Sequence, residues 1–289
     1  MDAASRAALA ETRERLTELT QPASGLLERA RERVTGSARV APDQLVALAD
    51  ELFAVARLLE AQPALRRALS DPAGKPAERA ALAGRLLEGK VSGTALDLVQ
   101  TAARQRWSRP FDLVEAAETL GTEAALSSAE AGDALDGVED ELFRFGRIVA
   151  GEADLSRILT DRSAPAAGKT ALLEQLLGDR VSPVTALLLR NHLTSTRVGT
   201  AEDVVERLSE AASRRRGRSV AHVTAAAPLS AAQEERLAEV LGRIYGRTVG
   251  LQVTVDPELL GGLVVRVGDE VVDGSVLRRL EDAGRRLVG

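Results

Sequence analysis

The sequence contains no cysteine and very few aromatic residues. The absence of cysteine excludes disulfides, thiolate metal ligands and cysteine nucleophiles. Only 2% of the residues are aromatic whereas 45% are hydrophobic, so leucine, valine and alanine must supply most of the core. Small aliphatic side chains of this kind favour closely packed helices.

Lysine is also scarce, because Lys75, Lys90 and Lys169 are the only ones and arginine supplies the other basic residues. The 38 basic and 43 acidic residues leave a net charge of −5 and are interspersed along the chain. This balance argues against a dedicated nucleic-acid-binding protein. The arginine-rich run at 214–218 lies where a helix is predicted to end, and cations are favoured there by the helix dipole.

Long hydrophobic runs are missing as well. No stretch reaches the roughly 18 consecutive apolar residues that a membrane-spanning helix needs. The first residues, MDAASRAALAETRERL, are charged from the second position and predict neither a secretory signal nor a membrane anchor. We therefore expect any association with a membrane to occur through partners.

An internal repeat with an offset of 90 residues organises most of the chain. The sequence DELF occurs at 50–53 and again at 140–143, and the same register aligns Arg57 with Arg147 and Leu69 with Leu159. Each copy predicts a long helix, a short helix and three further helices, whose apolar positions recur every three or four residues. The apolar stripes of the two long helices are Leu45, Leu48, Leu52, Val55 and Leu59 in the first copy and Leu135, Val138, Leu142, Phe145 and Val149 in the second. These stripes predict the core of a helical bundle.

An extra helix, Ala4 to Leu19, is predicted before the first copy, and a looser segment at 21–42 joins them. After residue 216 the pattern changes to that of strands, at 219–226 and 248–255. Ser230 and Gln233 predict a capping box at the start of a helix between these two strands. A hairpin around 268–269 and a final helix after 275 complete the C-terminal part.

The predicted fold is therefore mainly α. Two tandem helical-bundle units, related by internal duplication, are followed by a small C-terminal α+β domain. The predicted domains are 1–132, which includes the extra leading helix, then 133–216, and finally 217–289.

The trio Gly168-Lys169-Thr170 is the one feature that suggests nucleotide binding. A phosphate-binding loop needs a glycine five residues before this trio and a buried strand before the loop. Here Ser163 occupies the glycine position, Pro165 has no N–H to offer, and the preceding segment has helical spacing. The first copy has Glu78-Arg79-Ala80 at the equivalent positions, so we predict a solvated first turn of a helix. A nucleotide-binding enzyme that uses the trio is the less favoured alternative.

Other catalytic or metal-binding patterns are weaker. His192 and His222 are the only histidines, so a three-histidine metal centre is excluded. Asp269, Glu270 and Asp273 are better explained by the polar requirements of a hairpin turn. We expect no catalytic residue, no metal site and no cofactor.

The C-terminal sequence resembles the delta subunit of F-type ATP synthases, which is the counterpart of the mitochondrial oligomycin-sensitivity-conferring protein. The resemblance extends without gaps over 249–287, VGLQVTVDPELLGGLVVRVGDEVVDGSVLRRLEDAGRRL. The motif residues are Asp256, Leu259, Gly261, Gly262, Arg266, Gly268, Asp273, Gly274 and Ser275. Each also suits a structural role, because paired glycines permit a bend before a strand and Asp-Gly-Ser suits a turn that enters a helix.

This resemblance implies a non-catalytic stator subunit on the cytoplasmic face of the bacterial cell membrane. In the family, the N-terminal six-helix bundle holds an amphipathic N-terminal helix of an alpha subunit, and the C-terminal domain contacts the b-subunit stalk. Beta subunits are a second candidate partner in the catalytic head, and no nucleic acid is expected. The candidate residues for the alpha-subunit groove are Leu9, Leu16, Leu19, Leu96 and Val99.

The duplicated helical unit departs from ordinary family members and resembles longer actinobacterial forms, some of which are fused to a b-type segment. The duplication leaves open which copy holds the alpha-subunit helix. The first copy has the extra leading helix, the second runs directly into the C-terminal domain, and a composite of both is slightly favoured. A generic helical-repeat adaptor with unrelated partners is the other alternative.

Overall fold

The computed structural model describes residues 1–20, 44–161, 163–195, 199–218, 220–245, 249–256, 259, 261–267 and 270–273. Among these, the residues up to Ala212 form one compact unit and those from Ser213 form a second. The predicted segment at 21–42, the hairpin turn at 268–269 and the helix after 275 lie outside the described residues.

All the regular structure described in the first unit is helical. Helix α1 spans Ala3–Thr20. The first copy of the repeat contains α2 (Leu45–Ala61), α3 (Pro63–Ser70), α4 (Pro76–Leu87), α5 (Gly93–Arg104) and α6 (Pro110–Ala131). The second copy contains α7 (Leu135–Gly151), α8 (Ala153–Thr160), α9 (Ala166–Leu177), α10 (Pro183–Thr194) and α11 (Ala201–Arg218). The bounds of α2 to α5 recur 90 residues later in α7 to α10, which confirms the predicted offset.

Local sequence explains where these helices begin. Proline occupies the first turn of α3, α4, α6 and α10, where its missing N–H has no intrahelical partner to lose. Ser92 caps α5 and Ser182 caps α10, each accepting a hydrogen bond of 3.2 Å from the backbone N–H three residues later. The two predicted apolar stripes are buried throughout, with no residue more than 7% exposed.

Both copies contribute to one continuous hydrophobic core. Helix α2 packs along α6, and α6 also contacts α7 and α10 of the second copy. Gly121 on α6 allows a close approach, because a Cβ atom there would lie 3.1 Å from the ring of Phe53. The domain boundaries at 132/133 and 216/217 remain predictions.

The second unit contains a four-stranded sheet with the order β2-β1-β3-β4. Its strands are β1 (Val220–Ala225), β2 (Gly250–Val255), β3 (Leu263–Val267) and β4 (Glu270–Asp273). Strand β1 pairs in parallel with β2 and antiparallel with β3, and β3 pairs antiparallel with β4. Together with the first unit, this sheet confirms the predicted mainly α fold with a C-terminal α+β part.

Helix α12 (Ala231–Tyr245) connects β1 to β2. It begins with the predicted capping box, in which the Ser230 N–H donates to Gln233 Oε1 at 2.8 Å. Leu241 of this helix is buried against the sheet. Ile244 and Val255, near the ends of their elements, are 56% and 42% exposed.

Candidate functional site

The trio Gly168-Lys169-Thr170 lies in the first turn of α9, after a helix and not after a strand. This confirms that the trio begins a bundle helix. One part of the prediction is wrong, because Lys169 is not solvated and is only 4% exposed. Burial lowers the pKa of Lys169, while the nearby carboxylate of Asp161 acts in the opposite direction. A buried ammonium group is poorly placed to contact a phosphate, so the geometry does not support a nucleotide site here.

The first copy shows what a cation does at this position. Arg79, the counterpart of Lys169, is 6% exposed and occupies the space between the start of α4 and the end of α5. Its guanidinium donates hydrogen bonds of 2.7–3.0 Å to the carbonyls of Ala103, Arg104 and Gln105. It also donates to two carbonyls in the turn between α3 and α4. The cation therefore satisfies carbonyls that the end of α5 leaves without intrahelical partners.

Helix α1 is held against the first copy by polar contacts along its length. The buried hydroxyl of Ser5 donates to Asp112 Oδ2 at 2.7 Å, and Asp112 itself is fully buried at the start of α6. Arg13 forms a 2.6 Å ion pair with Glu123 on α6. These contacts, which the sequence reasoning missed, fix the orientation of α1 beside α5 and α6.

The structure brings together the predicted groove residues on α1 and α5, and these two helices pack against each other. Arg15 on α1 forms a 2.6 Å ion pair with Asp97 on α5. The predicted residues Leu9, Leu16, Leu19 and Val99 are buried, between 3% and 7% exposed, and Leu96 is half-buried. Four of the five side chains thus hold the helices to the core, and only Leu96 has substantial surface available to a partner.

Most of the described C-terminal motif residues lie at one end of the sheet, whereas Arg266 lies within β3. The Asp256 N–H donates to the carbonyl of Ala225 at the end of β1, at 2.9 Å. Gly261 and Gly262 have φ values of 134° and 87°, so the predicted bend before β3 is present and favours glycine there. Leu259 precedes this bend, Arg266 lies opposite His222 of β1, and Asp273 ends β4. Gly268, Gly274 and Ser275 lie outside the described residues.

An apolar groove of about 500 Å³ lies beside this bend in the second unit. The end of β1, the start of α12 and the start of β3 form its walls, and its lining includes Pro228, Leu237, Val240, Gly262 and Leu263. Gln233 and Arg236 supply its polar rim. The groove therefore lies between the glycine bend and α12, and its apolar lining could accept an apolar segment of a partner.

The described residues include no group of three or more histidines, aspartates or glutamates placed to hold a metal ion. His192 lies edge-on to the Phe53 ring with a centroid distance of 5.6 Å, and its Nε2 lies 2.9 Å from the Thr122 hydroxyl. Both contacts pack the two helical copies together. Among the helices that the structure describes, none has the length and apolar character needed to cross a membrane.

Comparison with known proteins adds sequence evidence to this geometry. The family model described as ATP synthase delta (OSCP) subunit matches residues 122–287. The match begins within α6, so it includes the last part of that helix, the whole second copy and the C-terminal part.

Curated relatives match over nearly the whole chain. The ATP synthase subunit delta of Streptomyces coelicolor is 48% identical over 99% of this chain and 98% of its own length. The ATP synthase subunit delta of Frankia alni is 46% identical over 100% of both chains. A protein of Mycobacterium sp. (strain KMS) named ATP synthase subunit b-delta is 47% identical over 87% of this chain, which corresponds to 57% of its own length.

Proposed function

This chain belongs to the ATP synthase delta (OSCP) subunit family, a non-catalytic part of the peripheral stalk, and from that premise we propose that it links the catalytic head to the b-subunit stalk. The observation that carries the proposal is the identity of 45–48% with delta subunits over nearly the full chain. The link would prevent the head from turning with the rotor during proton-driven ATP synthesis. The chain would act on the cytoplasmic face of the membrane and bind there through its partners.

The helical unit is the proposed contact with the catalytic head. Its alpha subunits are the proposed partners, with the beta subunits as a second candidate. An amphipathic helix is expected to lie along an exposed surface where two helices meet. In the first copy this surface is the α1–α5 pair, with Leu96 as the accessible apolar residue. In the second copy the equivalent position is Ala186 on α10, a helix that packs against α6.

Matched variants distinguish the two copies. Leu96→Asp would weaken binding of the alpha-subunit N-terminal peptide if the first copy holds it, whereas Ala186→Asp would do so if the second copy does. Binding is measured by fluorescence anisotropy, with circular dichroism to verify that each variant is folded. Equal weakening by both variants would support a composite site.

The second unit is the proposed contact with the b-subunit stalk. The b-delta name of the mycobacterial relative associates b and delta sequences in one protein, which favours proximity of the two. The apolar groove beside Gly262 offers a surface for the end of a stalk helix, and Arg236 at its rim can pair with a carboxylate. Arg236→Glu should therefore weaken binding of the b subunit and leave binding of the alpha-subunit peptide unchanged.

The function is tested in membranes from which this protein has been removed. ATP-driven proton pumping is measured by quenching of a pH-sensitive dye, together with the rate of ATP hydrolysis. We expect pumping to be lost while hydrolysis continues, and to return when the purified chain is added. Full pumping in its absence would contradict the proposal.

A further inference from the structure

The first copy contains a helix-docking face whose occupant is visible in the structure. On α2, three residues contact consecutive residues of α10 in the second copy. Asp50 pairs with Arg190 at 3.1 Å, Arg57 donates to the side-chain oxygen of Asn191, and Phe53 lies edge-on to His192. Phe53 is only 2% exposed, because its ring lies between Gly121 of α6 and His192 of α10.

The same three residue types recur on α7, exactly one repeat later in the register of 90. Asp140, Phe143 and Arg147 correspond to the docking residues of α2. Here Phe143 is 60% exposed, in contrast to the buried Phe53, whereas Arg147 is exposed as Arg57 is. Asp140 forms an ion pair with Arg144 of its own helix, at 3.2 Å, whereas its counterpart Asp50 pairs with Arg190 of α10. Both are surface ion pairs, which contribute little to stability. The docking face is thus repeated in sequence but uncovered among the described residues.

We propose that Asp140, Phe143 and Arg147 bind an amphipathic helix from another subunit of the ATP synthase. By analogy with α10, the bound helix presents an arginine to the aspartate, an amide or carboxylate oxygen to the arginine, and a flat side chain in a T-shaped contact with the phenylalanine. The identity of the source rests on the proposed function. An exposed phenylalanine flanked by opposite charges has the composition of an interface anchor.

A second copy of this chain is a poor source for the helix. The only template in the described residues is α10, and its docking residues are already engaged with α2. Asn191 is 8% exposed, and removing α10 from α2 would expose the buried ring of Phe53. The occupant is therefore a helix from a different protein.

Cross-linking in the intact synthase tests the proposal directly. The photoreactive residue p-benzoylphenylalanine replaces Phe143, and the same substitution at Phe111 is the control. Phe111 is a comparably exposed phenylalanine, at 41%, on another helix, where it stacks on Arg66. We expect a cross-link from position 143 to an arginine-containing helical peptide of another subunit, and a different product or none from position 111. Cross-links confined to this chain, including 21–43 and 274–289, or no cross-link at 143, would overturn the proposal.

Binding to stripped membranes distinguishes this proposal from the general function. Phe143→Ser and Arg147→Glu should each weaken binding about tenfold or more, whereas Phe111→Ser should not. Thermal unfolding verifies that all variants are folded, as expected for exposed positions. If wild-type protein binds and restores pumping while Phe143→Ser and Arg147→Glu bind equally well, the docking proposal alone fails. If wild-type protein does not bind, the proposed function fails and this proposal with it.

Discussion

Replacing the two buried cations at equivalent positions of the repeat should have opposite effects on stability. Arg79→Met removes the donor to five backbone carbonyls, three at the end of α5 and two in the turn before α4. Some of these carbonyls can be hydrated after the change, so we expect a net loss of about 2–4 kcal/mol in the free energy of unfolding. For a unit of this size, the loss corresponds to a fall of roughly 4–16 °C in the melting temperature.

Lys169→Met should leave stability unchanged or raise it by up to about 1 kcal/mol, because it removes a cation that burial disfavours. The lowered pKa of Lys169 also makes the stability of the wild-type protein depend on pH. The pKa of Lys169 is lower in the folded than in the unfolded protein, so the unfolded state binds more protons and wild-type stability rises as pH approaches 10.5. The difference in the free energy of unfolding between Lys169→Met and wild type should therefore shrink as the pH rises towards 10.5.

Calorimetric melting and urea unfolding at pH 7 and pH 10 provide the measurements. Isothermal titration with Mg-ATP is the accompanying control, and no binding is expected to either wild type or Lys169→Met. The reasoning would be refuted if Arg79→Met were as stable as wild type, or if Lys169→Met were destabilised by more than about 2 kcal/mol.

Four further variants test other parts of the structure. Phe53→Ala should lower the free energy of unfolding by about 3–5 kcal/mol, whereas Phe143→Ala should change it by less than about 0.5 kcal/mol. Similar urea midpoints for the two variants would contradict the packing described. Glu141→Ala should lower the free energy of unfolding by about 1–3 kcal/mol, because the Ser182 N–H and hydroxyl lose their hydrogen-bond acceptor. An unchanged urea midpoint would show that water replaces the carboxylate. Hydrogen bonds with the side chain and backbone of Thr200, which precedes α11, lower the pKa of Asp203. The contribution of Asp203 to stability is therefore present above pH 3.8 and is lost as the pH falls through the pKa of the folded state. Asp203→Asn should accordingly lose less stability than wild type between pH 5 and pH 3.

The repeated helices could be predicted because a helix leaves a local signal in the sequence. Apolar spacing, proline in the first turn and a capping serine all act within a few residues of one another. Because the pattern recurs with an offset of 90 residues, each of these helices is predicted a second time by its counterpart in the other copy. These features account for the order of the helices in each copy and for the offset of 90 residues between α2 to α5 and α7 to α10.

The burial of Lys169 had a signal that the nucleotide-motif reasoning overlooked. The residue lies four and eight positions before Leu173 and Leu177, so it falls on the buried stripe of α9. Its counterpart Arg79 is also basic and also precedes an apolar stripe. A cation at the same stripe position in both copies indicates a structural role more strongly than the three-residue match indicates phosphate binding.

The packing between the copies could not be predicted from periodicity. Phe53 and Phe143 occupy the same position of the repeat within the same DELF sequence, yet one is 2% and the other 60% exposed. The difference arises because α6 and α10 both contact the ring of Phe53, whereas the ring of Phe143 is left exposed. Local sequence patterns predict which face of a helix is apolar. Whether that face is buried depends on tertiary contacts with segments that are distant in the sequence.

The central claim, that this chain connects the head to the stalk, is tested most directly by co-sedimentation of purified parts. The catalytic head and b subunits are mixed with and without the purified chain and analysed by ultracentrifugation. We predict that the head and b subunits sediment together only when the chain is present, in a complex that contains all three. Equal co-sedimentation without the chain, or binding of the chain to neither part, would contradict the account.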